Sequence, residues 1–172
     1  IAVLNMPFDT NFSSTTRNGV KDYSTQRNNG TLYGNPVWNA TGNVSGAYSL
    51  DGIDDFINTT TSGFSTTDMT IELWVKLYSW SDFDDIIQHS TNNAGENRIS
   101  IERSNSFNGS KANAVDFATG NSLGQVDTLF SNTELSIGRW YYIAATFNPN
   151  NKSLYIDGTL ENSTSFFPSP SS

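Results

Sequence analysis

Residues 46–58, GAYSLDGIDDFIN, from Gly46 to Asn58, read as two short strands around one tight turn. Ala47, Ser49 and Asp51 alternate with Tyr48 and Leu50, which is the two-residue period of a pleated strand. Gly52 marks the turn, Asp55 to Asn58 forms the return strand, and Asp51, Asp54 and Asp55 crowd three carboxylates around it. The same grammar returns in GRWYYIAATFNPNNKSLYIDGTL, from Gly138 to Leu160. There, Trp140 to Phe147 is rich in aromatic and β-branched residues, and Asn148 to Asn151 makes a Pro-containing turn. Leu154 and Ile156 face one side, Tyr155 and Asp157 the other, and Asp157-Gly158 is a strong hairpin signal.

Outward from these two blocks the chain keeps period 2. Met69, Ile71, Leu73, Val75 and Leu77 share one face of a strand whose other face carries Thr70, Glu72, Trp74 and Lys76. Further strands are expected at Val3 to Phe8 (blunted by Pro7), Thr31 to Tyr33, Pro36 to Trp38, Ile86–Ile87 and Arg98 to Glu102, and around Val115, Phe117, Val126, Leu129 and Phe130. Residues 10–30 read as loop, and long helical periodicity is scarce. About ten to twelve short strands separated by turn residues predict an all-β fold, a two-sheet antiparallel jelly-roll β-sandwich. Residues 1–165 form the expected sandwich, and FFPSPSS (166–172) reads as the start of a Pro/Ser linker.

Composition narrows the functional classes. A chain of 172 residues with 35% hydrophobic and 13% aromatic content supports a packed interior. Seventeen acidic against nine basic residues give a net charge of −8, the wrong sign for nucleic acid or an anionic membrane surface. No apolar run approaches the roughly 20 residues of a spanning helix, so no membrane insertion by this segment is expected. Cysteine is absent. The abundance of Asn, Ser and Thr with few lysines suits an extracellular location, secreted or at the cell surface. Seven Asn-X-Ser/Thr sequons, at Asn11, Asn39, Asn43, Asn58, Asn108, Asn151 and Asn162, are candidate glycosylation sites. The composition alone would generate about five, so the excess is small.

The order of motifs resembles the laminin G-like domains of the concanavalin A-like lectin/glucanase jelly rolls. An apolar opening ends in Phe8-Asp9, and an Asp22-Tyr23-Ser24 loop closes on Asn29-Gly30. The Leu50 to Asp55 hairpin, the Met69 to Lys76 strand with Trp74, Gly138-Arg139-Trp140, and Leu154 to Gly158 complete the series. The resemblance implies a binding module and a calcium site near the sheet rim. It also implies another strand or two after the Asp-Gly hairpin, where this sequence runs into a Pro-Ser tail, so that either the last strand lies outside this stretch or something else takes its place. An unfilled strand slot would be open to a strand donated by a neighbouring subunit.

Calcium takes about six to eight oxygens from carboxylates and loop carbonyls. Asp54 and Asp55 with Asp51, Asp22 and Asn29 of the DYSTQRNNG loop, and Asp9 are the candidate ligands. The alternative for each Asp is a turn cap made through hydrogen bonds to backbone N–H groups. Asp82, Asp84 and Asp85 read as a solvated strand edge. Trp74, Trp80 and Tyr155, with Tyr141 beside them, are candidates for stacking on sugar rings, whereas Trp38 and Trp140 suit the core or its rim. Catalysis is not expected. The Glu-x-Asp-x-x-Glu string of jelly-roll glycanases does not occur, Glu72, Glu102 and Glu134 are isolated, and His89 is the sole histidine. The expected partner is therefore a glycan or an extracellular protein. The competing expectation is a structural subunit of a filament or surface layer.

Overall fold

The computed structural model describes residues 2–11, 19–60, 62–64, 67–79, 85–89, 99–103, 112–121 and 125–165. These residues form thirteen strands and no helix, and every strand pairing is antiparallel. They fall into two compact units, 1–64 and 65–172.

In the N-terminal unit, β1 (Gly19–Val20), β2 (Gly30–Tyr33) and β5 (Phe56–Thr59) form a sheet in the order β1-β2-β5, and β3 (Val37–Asn39) pairs with β4 (Ala47–Ser49). The interior of this unit is largely polar. Asp22 and Asn28 are buried to 2% and 1% exposure. Asp22 accepts from Asn5 N and Ser24 N at 2.8 Å through Oδ1, and from Ser24 Oγ at 2.6 Å and Asn28 N at 2.7 Å through Oδ2. The Asn28 amide donates to Val3 O and Ser62 O, both at 2.9 Å. Burial pushes the Asp22 carboxyl up, but the donors from Ser24, Asn5 and Asn28 together outweigh it and hold it below its ordinary value.

That polar stitching explains why the expected strand at Val3 to Phe8 does not form. Residues 2–11 are irregular, because Pro7 has no N–H to give a ladder and Phe8 sits at a φ of 59°. The Asn5 N–H goes to the Asp22 side chain and the Phe8 carbonyl to Trp38 Nε1 at 2.8 Å, so loop and indole groups take the place of a partner strand. Gly46 is required there, since a Cβ would collide with Phe8 O. The stretch expected to be loop, 10–30, contributes β1 instead.

In the C-terminal unit, β6 (Met69–Lys76), β11 (Trp140–Asn148), β12 (Asn151–Ile156) and β13 (Thr159–Thr164) form one sheet in the order β13-β12-β11-β6. The second sheet runs β10-β9-β8-β7, from β7 (Asp85–His89), β8 (Ile99–Arg103), β9 (Ala114–Gly120) and β10 (Val126–Glu134). Alternate residues of both sheets meet in one core. Ile143, Ala145, Leu154, Val115 and Phe117 have no exposed surface, with Tyr141, Phe147, Ile156, Leu129 and Leu135 around them. Ile71, Leu73, Val75, Ile86 and Ile87 pack against that cluster. The expected two-sheet antiparallel β-sandwich is therefore present. Asp157 and Gly158 adopt φ values of 50° and 80°, the left-handed pair that a two-residue hairpin needs.

Among the described residues of this unit, an ammonium group lies inside the core. Lys152 has no exposed side-chain surface, yet its position on β12 points it inward with Leu154 and Ile156. Its Nζ crosses to the other sheet, donating to Asp127 O at 2.8 Å, Asp127 Oδ2 at 3.2 Å and Thr119 Oγ1 at 3.2 Å, and it lies 4.9 Å from the centre of the Phe117 ring. Burial pushes its pKa down from 10.5 to about 8, with Asp127 and Asp116 opposing the shift.

Asp22→Ala strands the N–H groups of Asn5, Ser24 and Asn28 and should cost on the order of 3 kcal/mol at neutral pH. The Asp22 pKa is depressed on folding, so its contribution is fully present above the ordinary value of 3.8, declines below it and is lost as pH falls through the lower folded value. Denaturant unfolding at pH 7 and pH 3 should therefore show a smaller gap between wild type and variant in acid. Lys152 has the opposite sign. Between about pH 8 and 10.5 the unfolded chain holds a proton that the folded chain has shed, so stability from this group rises with pH. Relative to Lys152→Met, the wild type should gain up to about 3 kcal/mol across that window, at about 1.4 kcal/mol per pKa unit. A pH-independent difference would contradict the assignment.

Candidate functional site

The strand that buries Ile71, Leu73 and Val75 must turn Thr70, Glu72, Trp74 and Lys76 to the opposite face. Register across the sheet builds that outer face in rows. Lys76 lies opposite Trp140, Trp74 opposite Tyr142, Glu72 opposite Ala144, and Thr70 opposite Thr146. The Glu72 row continues through Ala144 to Tyr155 and then Leu160.

Trp74 is 45% exposed, and its ring centre lies 5.3 Å from that of Tyr142 at a tilt of 49°. The Tyr142 hydroxyl donates to Glu72 Oε2 at 2.5 Å, and this bond, followed by burial, raises the Tyr142 pKa. Glu72 Oε1 has no partner among the described residues. Tyr142 is held from behind as well. Its N–H donates to Asp157 Oδ1 at 2.9 Å and its carbonyl accepts from Asp157 N at 2.8 Å, while Asp157 Oδ2 takes Arg139 Nη2 at 2.8 Å. Lys76 Nζ sits over the rings of Tyr78 and Trp140, at 5.0 and 5.1 Å. A shallow depression of about 330 Å³ lies at the far end of β6 and β11, lined by Asp68, Met69, Thr70, Thr146, Phe147 and Asn148. The face thus offers an exposed aromatic platform, an oriented carboxylate and hydroxyls on a rigid sheet.

Of the residues singled out for ring stacking, Trp74 and Tyr155 share this face, and Trp80 lies outside the described residues. Tyr141 does not belong to it. Its side chain is 2% exposed and points into the core, where its hydroxyl accepts from Ser136 N at 2.9 Å. Its neighbour Tyr142 takes the outward place, as strict alternation from Trp74 through the β6–β11 register requires. Trp38 and Trp140 are partly buried, as expected of rim residues.

The acidic residues are placed differently. Asp51, Asp54 and Asp55 do converge, each with a carboxylate oxygen within 4.8 Å of the others. Asp51 Oδ1 accepts from the backbone N–H of Ile53, Asp54 and Asp55, while Asp55 accepts from Asn35 N and Asp51 N. Those bonds cap the turn and lower the Asp51 pKa, the Ile53 N–H foremost. Both Asp22 oxygens are taken by N–H and O–H donors, and Asn29 Oδ1 accepts from Asp22 N at 3.0 Å. Asp9 is exposed and stands apart from the three-carboxylate group. Asp22 and Asn29 are thus committed to hydrogen-bond donors, whereas the Asp54 carboxylate accepts from none of the described residues and stays open toward a cation at the turn. Asp85 begins β7 as an exposed residue, and Asp82 and Asp84 lie outside the described residues.

Six sequon asparagines, Asn11, Asn39, Asn43, Asn58, Asn151 and Asn162, are exposed, and Asn108 lies outside the described residues. Asn151 and Asn162 already donate their amides, to Ser153 Oγ at 2.7 Å and Phe130 O at 3.2 Å, so a sugar on either would cost a hydrogen bond.

Residues 50–172 match the model of the laminin G-like branch of the concanavalin A-like lectin/glucanases superfamily, and the chain belongs to that family. No curated protein matches the chain. Among solved structures it is similar to the binding domain of Paraclostridial Mosquitocidal Protein 1, with a TM-score of 0.72 and 16% identity over 95% of this chain and 40% of that one. It is also similar to an S-layer domain-containing protein from Clostridium thermocellum, with a TM-score of 0.60 and 22% identity over 96% of this chain and 73% of that one. A third is domain 4 of AbnA, an extracellular arabinanase from Geobacillus stearothermophilus solved with arabinotriose, at a TM-score of 0.69 and 17% identity over 87% of this chain and 71% of that one. At these identities the likeness is one of fold.

Because N–H groups already hold the acidic turn and the Asp22 loop, the melting temperature should be the same in excess calcium and in excess chelator. A calcium-dependent rise that Asp54→Asn removes would overturn this assignment.

Proposed function

We propose that this chain is a non-catalytic carbohydrate-binding module of an extracellular protein. The observation that carries it is the outer face of β6 and β11, where Trp74 stands 45% exposed beside Tyr142, with Glu72 held by the Tyr142 hydroxyl. Sugar rings present apolar C–H faces to such a platform, and carboxylate oxygens accept their hydroxyl protons. The fold it shares with an arabinanase domain solved with arabinotriose supports the same reading. Hydrolysis would need two carboxylates facing one glycosidic bond at about 5–10 Å, an acid and a nucleophile or base. Glu72 has Thr70 and Trp74 as its outward neighbours along β6, neither of them a second carboxylate, which suits holding a sugar rather than cleaving it.

The fold likeness to an S-layer domain-containing protein favours a second reading, a structural subunit of a surface layer. A donated strand would then need a free sheet edge. Part of β13 is already engaged, because the Glu161 carbonyl accepts from Asn132 Nδ2 at 2.6 Å, and the Glu161 and Asn162 side chains bond to Asn132, Thr133 and Phe130 of β10.

Affinity electrophoresis in gels carrying neutral plant polysaccharides tests the first reading. The chain should be retarded by at least one of them, and Trp74→Ala should weaken that binding by about tenfold or more with an unchanged circular dichroism spectrum. A wild-type chain that no polysaccharide retards, and that sediments as a polymer, would favour the structural reading instead.

A further inference from the structure

Ala144 is the smallest side chain of the outer face, and its position is central. It lies directly between Glu72 on β6 and Tyr155 on β12, one row from the Trp74–Tyr142 pair and one row from Thr70 and Thr146. Large or polar groups therefore surround a methyl group. The two interstrand steps from Glu72 to Tyr155 give a floor about 10 Å wide, enough for one sugar ring.

Glu72 is the second element. The Tyr142 hydroxyl fixes Oε2, Oε1 has no partner among the described residues, and Glu72 lies opposite Ala144 in the register. A carboxylate so oriented accepts hydrogen bonds and donates none. Its complement is a hydroxyl-bearing neutral ring, and a carboxylate-bearing sugar would be repelled. The net charge of −8 acts in the same direction. Lys76, the cation of this face, has its ammonium over the rings of Tyr78 and Trp140, two residues beyond Trp74 from Glu72.

We infer that Ala144 is the floor of a single-ring subsite, walled by Trp74, Tyr142 and Tyr155, in which Glu72 reads the hydroxyls of a neutral glycan. The inference rests on the glycan-binding reading above and narrows it. Ala144 determines specificity by being small, and Glu72 by being an anionic acceptor. Neither contributes to the buried core, because both point away from it.

The test is affinity electrophoresis of the full chain in arabinan, arabinoxylan, mixed-linkage glucan and polygalacturonate. The wild type should be retarded by at least one of the three neutral polymers and not by polygalacturonate. Ala144→Phe places a β-prone residue on an outward position, so the sheet should tolerate it. It should weaken binding by about tenfold or more, while Ala144→Ser stays near wild type. Glu72→Gln keeps the side-chain shape but removes the charge, and should weaken binding comparably, which keeps the test sound if Ala144→Phe misfolds. Wild-type binding by Ala144→Phe, in a protein where Trp74→Ala has lost it, would overturn the subsite and leave the glycan-binding reading standing. Equal retardation by polygalacturonate would overturn the neutral-ligand assignment. A wild type retarded by none of the four would overturn both.

Discussion

Everything in the C-terminal unit follows from the alternation of β11. Tyr141, Ile143, Ala145 and Phe147 are buried, while Tyr142, Ala144 and Thr146 point the other way. The strand lies between β6 and β12, and both pairings hold one register across its length. A slip of one residue would drive Tyr142 and Thr146 into the core and expose Ile143 and Phe147. Burial of the inner row thus fixes the register, and the register fixes which side chains meet outside. Trp74 faces Tyr142, and Glu72 lies opposite Ala144, because Ile71, Leu73 and Ile143 must be inside. The interior and the outer face are two consequences of one pattern.

Polar groups then tie the layers at a few positions. Glu161 on β13 accepts from Asn132 N and Thr133 N at 2.8 Å and from Thr133 Oγ1 at 2.9 Å, so a sheet edge meets the bulged end of β10 through a carboxylate. Lys152 makes the corresponding tie through the core, at the cost of burying an ammonium. An apolar residue of similar volume would avoid that desolvation, whereas the lysine contributes directional bonds to two strands of the facing sheet, β9 and β10. The N-terminal unit uses the same device more heavily, with Asp22 and Asn28 serving as buried hubs where a larger unit would place hydrophobic side chains.

How legible this was in the sequence depended on whether a feature was local. Period 2 in Met69 to Leu77 and Trp140 to Phe147, and the left-handed demand of Asp157-Gly158, are properties of consecutive residues, and all are present in the fold. The opening segment was misread because alternation of Val3, Met6 and Phe8 says nothing about which donors and acceptors remain. Pro7 and the side chain of Asp22 decide that, across 17 residues of chain. The acidic turn was ambiguous for the same reason. A carboxylate facing N–H groups and one facing a cation have the same sequence, and the geometry at Asp51 and Asp22 favours the N–H groups. Tyr142 was hidden by its neighbour, since in Trp140-Tyr141-Tyr142 only the register with β6 tells which ring is outside. Lys152 carries no mark of burial in its residue type, but its spacing from Leu154 and Ile156 puts it on the inner face.

An exposed tryptophan on a sheet face has two physical explanations, and they make different demands. A cross-strand aromatic pair stabilises a sheet by about 0.2–1 kcal/mol, and Trp74 with Tyr142 is such a pair. That explanation accounts for contact between the rings but not for the carboxylate bound to one of them, since the Tyr142 hydroxyl would be satisfied equally well by water. The short bond from Tyr142 to Glu72 restricts a long side chain on an open surface, at a cost in rotamer freedom that an isolated exposed hydrogen bond offsets poorly. Asp157 holds the Tyr142 backbone at both its N–H and its carbonyl, which further restricts the group that restricts Glu72. Order of this kind has little use to the fold, whose stability lies on the other side of the sheet. It has a direct use in recognition, where side chains fixed in advance lose less entropy when a ligand arrives. The ring pair alone suits either explanation, whereas the chain from Asp157 through Tyr142 to Glu72 favours a surface prepared to bind.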